Sequence, residues 1–269
     1  FDPFIQRGNE GVVHHFIIMV CDPNFPEHLL NVSSDCDDHA NMPAEVLKCR
    51  GAGILIAAWG VGGGGIGLPV VSRVCGSARK ERRKEYQTYP DHPFVYPDHV
   101  GFPIGVEYTG RHFVMEIHFD NPELRSDFVD SSGMRFFTST KLTKYDAGVW
   151  TIGSVVSSWM MIPPKQQAWK TTGYCTKACS EKALHNSSLP EKGIKIFSSI
   201  LHTHLAGRAT WTQHVRDGVE LPEIARDYNY DFNFQDIQFL QNEVHIKPGD
   251  DIIHNCIQYN TMDRDKLSY

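Results

Sequence analysis

Short segments in which apolar and polar residues alternate with a period of two, each ended by turn residues, constrain this chain more than any other feature. They fall at 11–21, 52–59, 112–119, 134–142, 148–160, 194–205, 209–216 and 250–259 and are rich in β-branched and aromatic residues. Asp217-Gly218 and Pro248-Gly249-Asp250 are turn signals. No long stretch holds a period of 3.6, so the expected fold is all-β, built as antiparallel sandwiches. A length of 269 residues and a hydrophobic content of 41% allow two domains with proper cores. The polar segment 121–127 separates two groups of strands and predicts a division into residues 1–124 and 128–269.

Residues 51–71 form an uncharged run of 21 residues, nominally long enough to cross a bilayer. Eight glycines and a proline lie within it, and each glycine costs a helix interior about 1 kcal/mol relative to alanine. A buried strand over 54–59 followed by a glycine-rich loop is expected instead, with no transmembrane segment. The chain opens on Phe1-Asp2-Pro3 without a visible secretory leader. A formal net charge of −6 weighs against a nucleic-acid partner, because such binders carry a basic face.

Two histidine clusters carry the candidate chemistry: His14-His15 near the start, and His202-Thr203-His204 inside LHTHLAGR. Imidazole is the commonest biological metal ligand. Residues 196–205 read as a strand, and residues two apart on a strand point to one face, so His202 and His204 converge. Taken alone, an H-x-H pair reads equally as a metal site or as two surface histidines.

Seven cysteines and the sequons Asn31-Val32-Ser33 and Asn186-Ser187-Ser188 fit an oxidising, secretory compartment, whether endoplasmic reticulum, secretory vesicle or extracellular space. The spacing of Cys175 and Cys179 suggests zinc only weakly, since no second closely spaced ligand pair accompanies it. Disulfides are expected, in a glycoprotein.

The motifs GNEGVVHHFIIMVC (8–21), MEIHFDNP (115–122), DSSGMRFFTSTKLTKYDAG (130–148), IPP (162–164), TGYCTKAC (172–179), LHTHLAGR (201–208), DYNYDFNFQDIQFL (227–240) and PGDDIIHNCIQYNTMDR (248–264) run through almost the whole chain. Together they resemble the copper type II, ascorbate-dependent monooxygenases, the family of dopamine β-monooxygenase, tyramine β-monooxygenase and peptidylglycine α-hydroxylating monooxygenase. LAGR and DFNFQ are most similar to its DBH-like members. The resemblance implies two jelly-roll-like sandwiches holding two copper ions per chain. The protein would hydroxylate a C–H bond of a small substrate with O2, with ascorbate as electron donor.

By the same resemblance, His14, His15 and His118 match the ligands of an electron-transfer copper, and His202 and His204 match two ligands of the catalytic copper. Three imidazoles suit an ion that cycles between Cu(I) and Cu(II). Adjacent strand residues face opposite ways, so His14 and His15 reach one ion only if the strand is bulged or the rings bind through different nitrogens. Glu116, two residues before His118, either accepts a ring N–H and orients a ligand or is a plain exposed glutamate. The family pattern pairs Cys21 with Cys49 and gives Cys36, Cys175, Cys179 and Cys256 partners beyond these residues.

The family's third catalytic ligand is a methionine in an E-M-C motif downstream of YNT-x-DR, which lies past Tyr269. Met262 occupies a variable position, and Met160 and Met161 read as strand residues entering the Pro163-Pro164 turn. The chain alone is therefore expected to be a truncated, inactive piece. Residues 65–92, with Cys75 and the basic run 79–84, depart from the family as an insertion, either a solvated loop or translated intron. Ile200 stands where peptidylglycine-specific members carry a carboxylate-binding arginine, which points to a phenylethylamine-like or other hydrophobic substrate. Two competing readings are an inactive copper-binding paralogue and a zinc-stabilised structural sandwich. A homo-oligomer is compatible with all of them.

Overall fold

The computed structural model describes residues 1–36, 38, 40–60, 94–106, 109–154, 161–185, 189, 192–203, 206–235 and 237–267. The expected insertion 65–92, Met160, the second sequon, His204 and the side chain of Cys256 lie outside the described residues. The chain forms two compact units, Phe1–Val149 and Trp150–Tyr269. Both are built from antiparallel β-strands, as alternation predicts, with a single short parallel pair among the described residues.

In the first unit the elements are β1 (Asp2–Phe4), β2 (Val13–Val20), α1 (Ala44–Ala52), β3 (Ile54–Gly60), β4 (Val100–Gly101), β5 (Phe113–Phe119), β6 (Gly133–Arg135) and β7 (Tyr145–Asp146). β2 is the centre of a three-stranded sheet ordered β3-β2-β5. Its burial on both faces explains why VHHFIIMV is apolar nearly throughout. One face packs Val13, Phe16 and Trp59 with Ile5, Ile117 and Met134, and Ile18, Val20, Ile56 and Ala57 with Phe1, Phe102 and Met134. The opposite face carries Met19 with the bonded pair Cys21–Cys49, which ties α1 to the end of β2.

This unit extends further than residue 124. β1 pairs with β6, β4 pairs with β7, and Gln6 and Asn9 donate side-chain hydrogen bonds to the carbonyl of Val129. The polar segment 121–127 is thus a loop inside the unit. The alternating stretch 134–142 contributes only β6, and no strand is assigned over 148–154.

The second unit contains β8 (Trp169–Cys175), α2 (Lys177–His185), β9 (Ile194–Ile200), β10 (Thr210–Arg216), β11 (Val219–Asp227), β12 (Ile237–Ile246) and β13 (Asp251–Tyr259). A four-stranded sheet, β11-β10-β13-β8, and the β12-β9 pair share a core of Cys175, Ile224, Ile246 and Ile252, packed by Ile194, Ile196, Leu240 and Val244. Asp217 and Gly218 take φ values of 53° and 76° in the two-residue turn between β10 and β11, the geometry a tight hairpin requires. Met161 is not a strand residue: it sits at φ 36° just before Ile162. Cys175 is bonded to Cys179 in the first turn of α2, correcting the expectation that both would need distant partners.

Candidate metal centres

The turn 8–12 sets the register of the first site. The Asn9 carbonyl accepts N–H bonds from Val12 and Val13, at 2.9 and 3.0 Å, while its buried amide donates to Asp130 at 2.7 Å. Asp130 in turn accepts from the Ser132 hydroxyl at 2.6 Å, and that hydroxyl accepts the Gln6 N–H at 2.8 Å. The GNEG and DSSG motifs are therefore two halves of one clasp at the mouth of β2.

Beyond the clasp the strand is bulged. Val13 faces Phe119 of β5 and His15 faces His118, so two steps along β2 correspond to one step along β5. His14 is the extra residue. Without the bulge, strict alternation would put His14 on the core face with Phe16, and Val13 on the other; with it, Val13 joins Phe16 and Trp59 in the core, and His14 turns toward His15.

Three ring nitrogens meet there. His14 Nδ1 lies 3.0 Å from His15 Nδ1, which lies 3.2 Å from His118 Nδ1, and one ligand atom from each ring falls within 4.8 Å of the others. A proton on His15 Nδ1 can serve only one of its two neighbours, which leaves the other contact nitrogen against nitrogen. A cation answers all three. Metal–nitrogen bonds of about 2.0–2.1 Å hold ligands roughly 3.3–3.6 Å apart, a few tenths of an ångström beyond the spacing present. The donor set, all imidazole with no carboxylate, fits a redox-active ion such as copper.

Glu116 is not turned toward these rings. Its Oε2 accepts from Arg50 Nε at 3.0 Å and lies 2.9 Å from Arg50 Nη2, and Arg50 Nη1 donates to the Cys36 carbonyl at 2.9 Å. No sequence signal marked Arg50, because its partners lie 66 and 14 residues away.

In the second unit β9 ends at Ile200, but alternation continues through buried Leu201, exposed His202 and buried Thr203. Thr203 is held from both sides: the Tyr230 hydroxyl donates to its carbonyl and accepts its N–H, each at 3.0 Å. Burial raises the Tyr230 pKa above its ordinary 10 and keeps this clamp protonated. Gly207 passes so close to Thr203 that a Cβ would fall 2.9 Å from the threonine Cβ, which accounts for the glycine in LAGR. The Asn260 N–H bonds the Ala206 carbonyl at 2.9 Å, and the Thr261 hydroxyl bonds the Pro163 carbonyl at 2.7 Å. IPP, LAGR and YNT thus brace one segment.

His202 Nδ1 is 2.5 Å from Oε1 of the buried Gln235, whose Nε2 donates to the Phe232 carbonyl at 2.8 Å. That second bond fixes which way the amide points, so Gln235 presents an acceptor and the proton sits on His202 Nδ1. Nε2 is left as the lone pair for a metal. DFNFQ was evident as a motif; the role of its glutamine was not. His204 lies outside the described residues.

Residues 145–269 match the C-terminal domain, and residues 1–82 the N-terminal domain, of the copper type II ascorbate-dependent monooxygenases. The chain is 37% identical to DBH-like monooxygenase protein 1 of Mus musculus, aligning over 100% of its own length and 38% of the relative's. It is 33% identical to tyramine beta-hydroxylase of Caenorhabditis briggsae, with the same coverage of 100% and 38%. Dopamine beta-hydroxylase of Canis lupus familiaris is 35% identical, with 100% of this chain and 37% of the relative aligned.

Proposed function

Since the chain belongs to the copper type II, ascorbate-dependent monooxygenase family, we propose that the protein containing it hydroxylates a C–H bond of a small substrate with O2 and ascorbate, using two coppers per chain. The observation that carries this reading is the convergence of His14, His15 and His118 at a strand bulge. These residues would hold the electron-transfer copper. His202 and His204 would hold the other ion. Bound copper supplies one-electron chemistry and a place for O2.

The protein supplies orientation. Asn9 fixes the register that turns His14 toward His15, Gln235 holds the proton on His202 Nδ1, and Tyr230 fixes the backbone between His202 and His204. Ile200, at the end of β9 and partly exposed, offers an apolar side chain and no partner for a substrate carboxylate. A phenylethylamine-like or other hydrophobic substrate follows. The bonded pairs Cys21–Cys49 and Cys175–Cys179 support maturation in the secretory pathway. No helix among the described residues is long and apolar enough to cross a membrane.

The full-length protein tests this. Two coppers per chain and ascorbate-dependent oxygen uptake with phenylethylamines, but not with glycine-extended peptides, are expected. Copper bound without turnover of any such substrate favours an inactive paralogue, and absence of copper ends the reading.

A further inference from the structure

Granting that His14, His15 and His118 hold copper, we propose that Arg50 is a positioning residue that keeps the Glu116 carboxylate out of the metal's coordination shell, so that the ion meets imidazole alone. Glu116 and His118 lie two apart on β5, with His118 facing His15 and Glu116 facing Ile17 on the neighbouring strand. Their side chains share one face of the sheet, and their Cα atoms are roughly 6.6–6.8 Å apart. A glutamate side chain turned along the strand reaches a cation bound at His118.

Glu116 is nevertheless missing from the group of converging ligand atoms. Its Oε2 is engaged by two nitrogens of Arg50, at 3.0 and 2.9 Å. Arg50 is itself fixed. Its side chain is 21% exposed, its third guanidinium nitrogen holds the Cys36 carbonyl, and its chain neighbour Cys49 is bonded to Cys21 at the end of β2. The guanidinium thus has its own anchorage on α1 and presents a planar fork to a carboxylate beside a metal site.

The chemical consequence concerns redox balance. A carboxylate oxygen is a harder donor than imidazole and favours Cu(II) over Cu(I), whereas an electron-storing ion must visit both states. By neutralising Glu116 and turning it away, Arg50 would hold the Cu(II)/Cu(I) balance where three imidazoles put it. Were the ion pair only a brace between α1 and the sheet, removing either partner would have the same effect. The proposal requires the two removals to differ.

The full-length protein carrying His202→Ala and His204→Ala, which retains copper only in the first unit, provides the background. Copper content, the Cu(II) paramagnetic resonance spectrum and the midpoint potential are measured. Arg50→Met is expected to change the parallel hyperfine pattern and raise the preference for Cu(II) about tenfold, equivalent to 59 mV for one electron. Glu116→Gln alone should leave both near the parent values, and the double variant Arg50→Met/Glu116→Gln should restore them. Arg50→Gln, which keeps a donor for the Cys36 carbonyl, serves if the methionine variant does not fold and should shift the same way. Equal shifts in the arginine and glutamate variants, or none in either arginine variant, overturn the inference while leaving the copper assignment intact. A parent protein without copper overturns the assignment and the inference with it.

Discussion

The hydroxyl of Tyr230 closes a two-way hydrogen bond on the backbone of Thr203, accepting its N–H and donating to its carbonyl at 3.0 Å each. Thr203 directly follows His202, so a side chain 27 residues downstream fixes the backbone on which the candidate ligand His202 stands.

Tyr230→Phe keeps the ring and removes both bonds to the buried Thr203 backbone. A loss of about 1–3 kcal/mol is expected, accompanied by weaker copper binding in the second unit. Urea unfolding and copper content after dialysis measure the two effects. A variant of unchanged stability would show that water replaces the hydroxyl.

Gln235→Leu removes the acceptor that holds His202 Nδ1–H. Metal affinity at the second site should drop by about 10–100-fold, with the first site untouched. Competition against a chelator of known affinity resolves the sites. A uniform loss at both would mean a global defect.

His118→Ala removes one of three converging imidazoles and should lower copper content from two per chain to one. On the proposed division of labour the remaining ion would still be reduced, but the second electron of each turnover would be missing. Rapid mixing of the ascorbate-reduced variant with oxygen and substrate should give little product. Normal yield would show that the first site does not store an electron.

Buried His254 is expected to contribute to the acid sensitivity of the copper-free protein. It is 6% exposed, its Nδ1 is 2.8 Å from the Thr212 hydroxyl, and burial lowers its pKa below 6.5. Below 6.5 the unfolded chain accepts a proton that the folded chain refuses, so stability declines as the pH falls from 6.5 toward the folded pKa. The urea midpoint should be lower at about pH 5.5 than at about pH 7.5, and His254→Gln should flatten that slope. Asp250 titrates elsewhere. Burial alone would raise its pKa, but bonds from Arg216, the Lys247 N–H and His214 hold it well below the carboxylate range. Its stabilising contribution is present above about pH 3.9 and is lost as the pH falls through the depressed folded value.

The expected segments contain, wholly or almost wholly, β2, β3, β5, β9, β10 and β13. β11 escaped because Pro222 interrupts it, which a sheet tolerates at an edge, where β11 lies. β12 escaped because its pairing with β9 slips between Phe239 and Val244. The helices carry no apolar stripe to read: α1 is held by Cys49 and Arg50, and α2 buries only Ser180 and Leu184. The metal-ligand candidates were legible through the family resemblance that their motifs carry, since an H-x-H pair alone reads equally as two surface histidines. Their supports were not, because Arg50, Tyr230 and Gln235 act through contacts 66, 27 and 33 residues away.

The bulge at His14 has a consequence for how the protein matures. His15 and His118 are separated by 103 residues of chain and meet only in one pairing of β2 with β5, so the unfolded polypeptide offers no precursor of the site. If the first unit takes up copper as proposed, that uptake would proofread strand pairing: a sheet assembled one residue out of step retains all three histidines and cannot gather them around one ion.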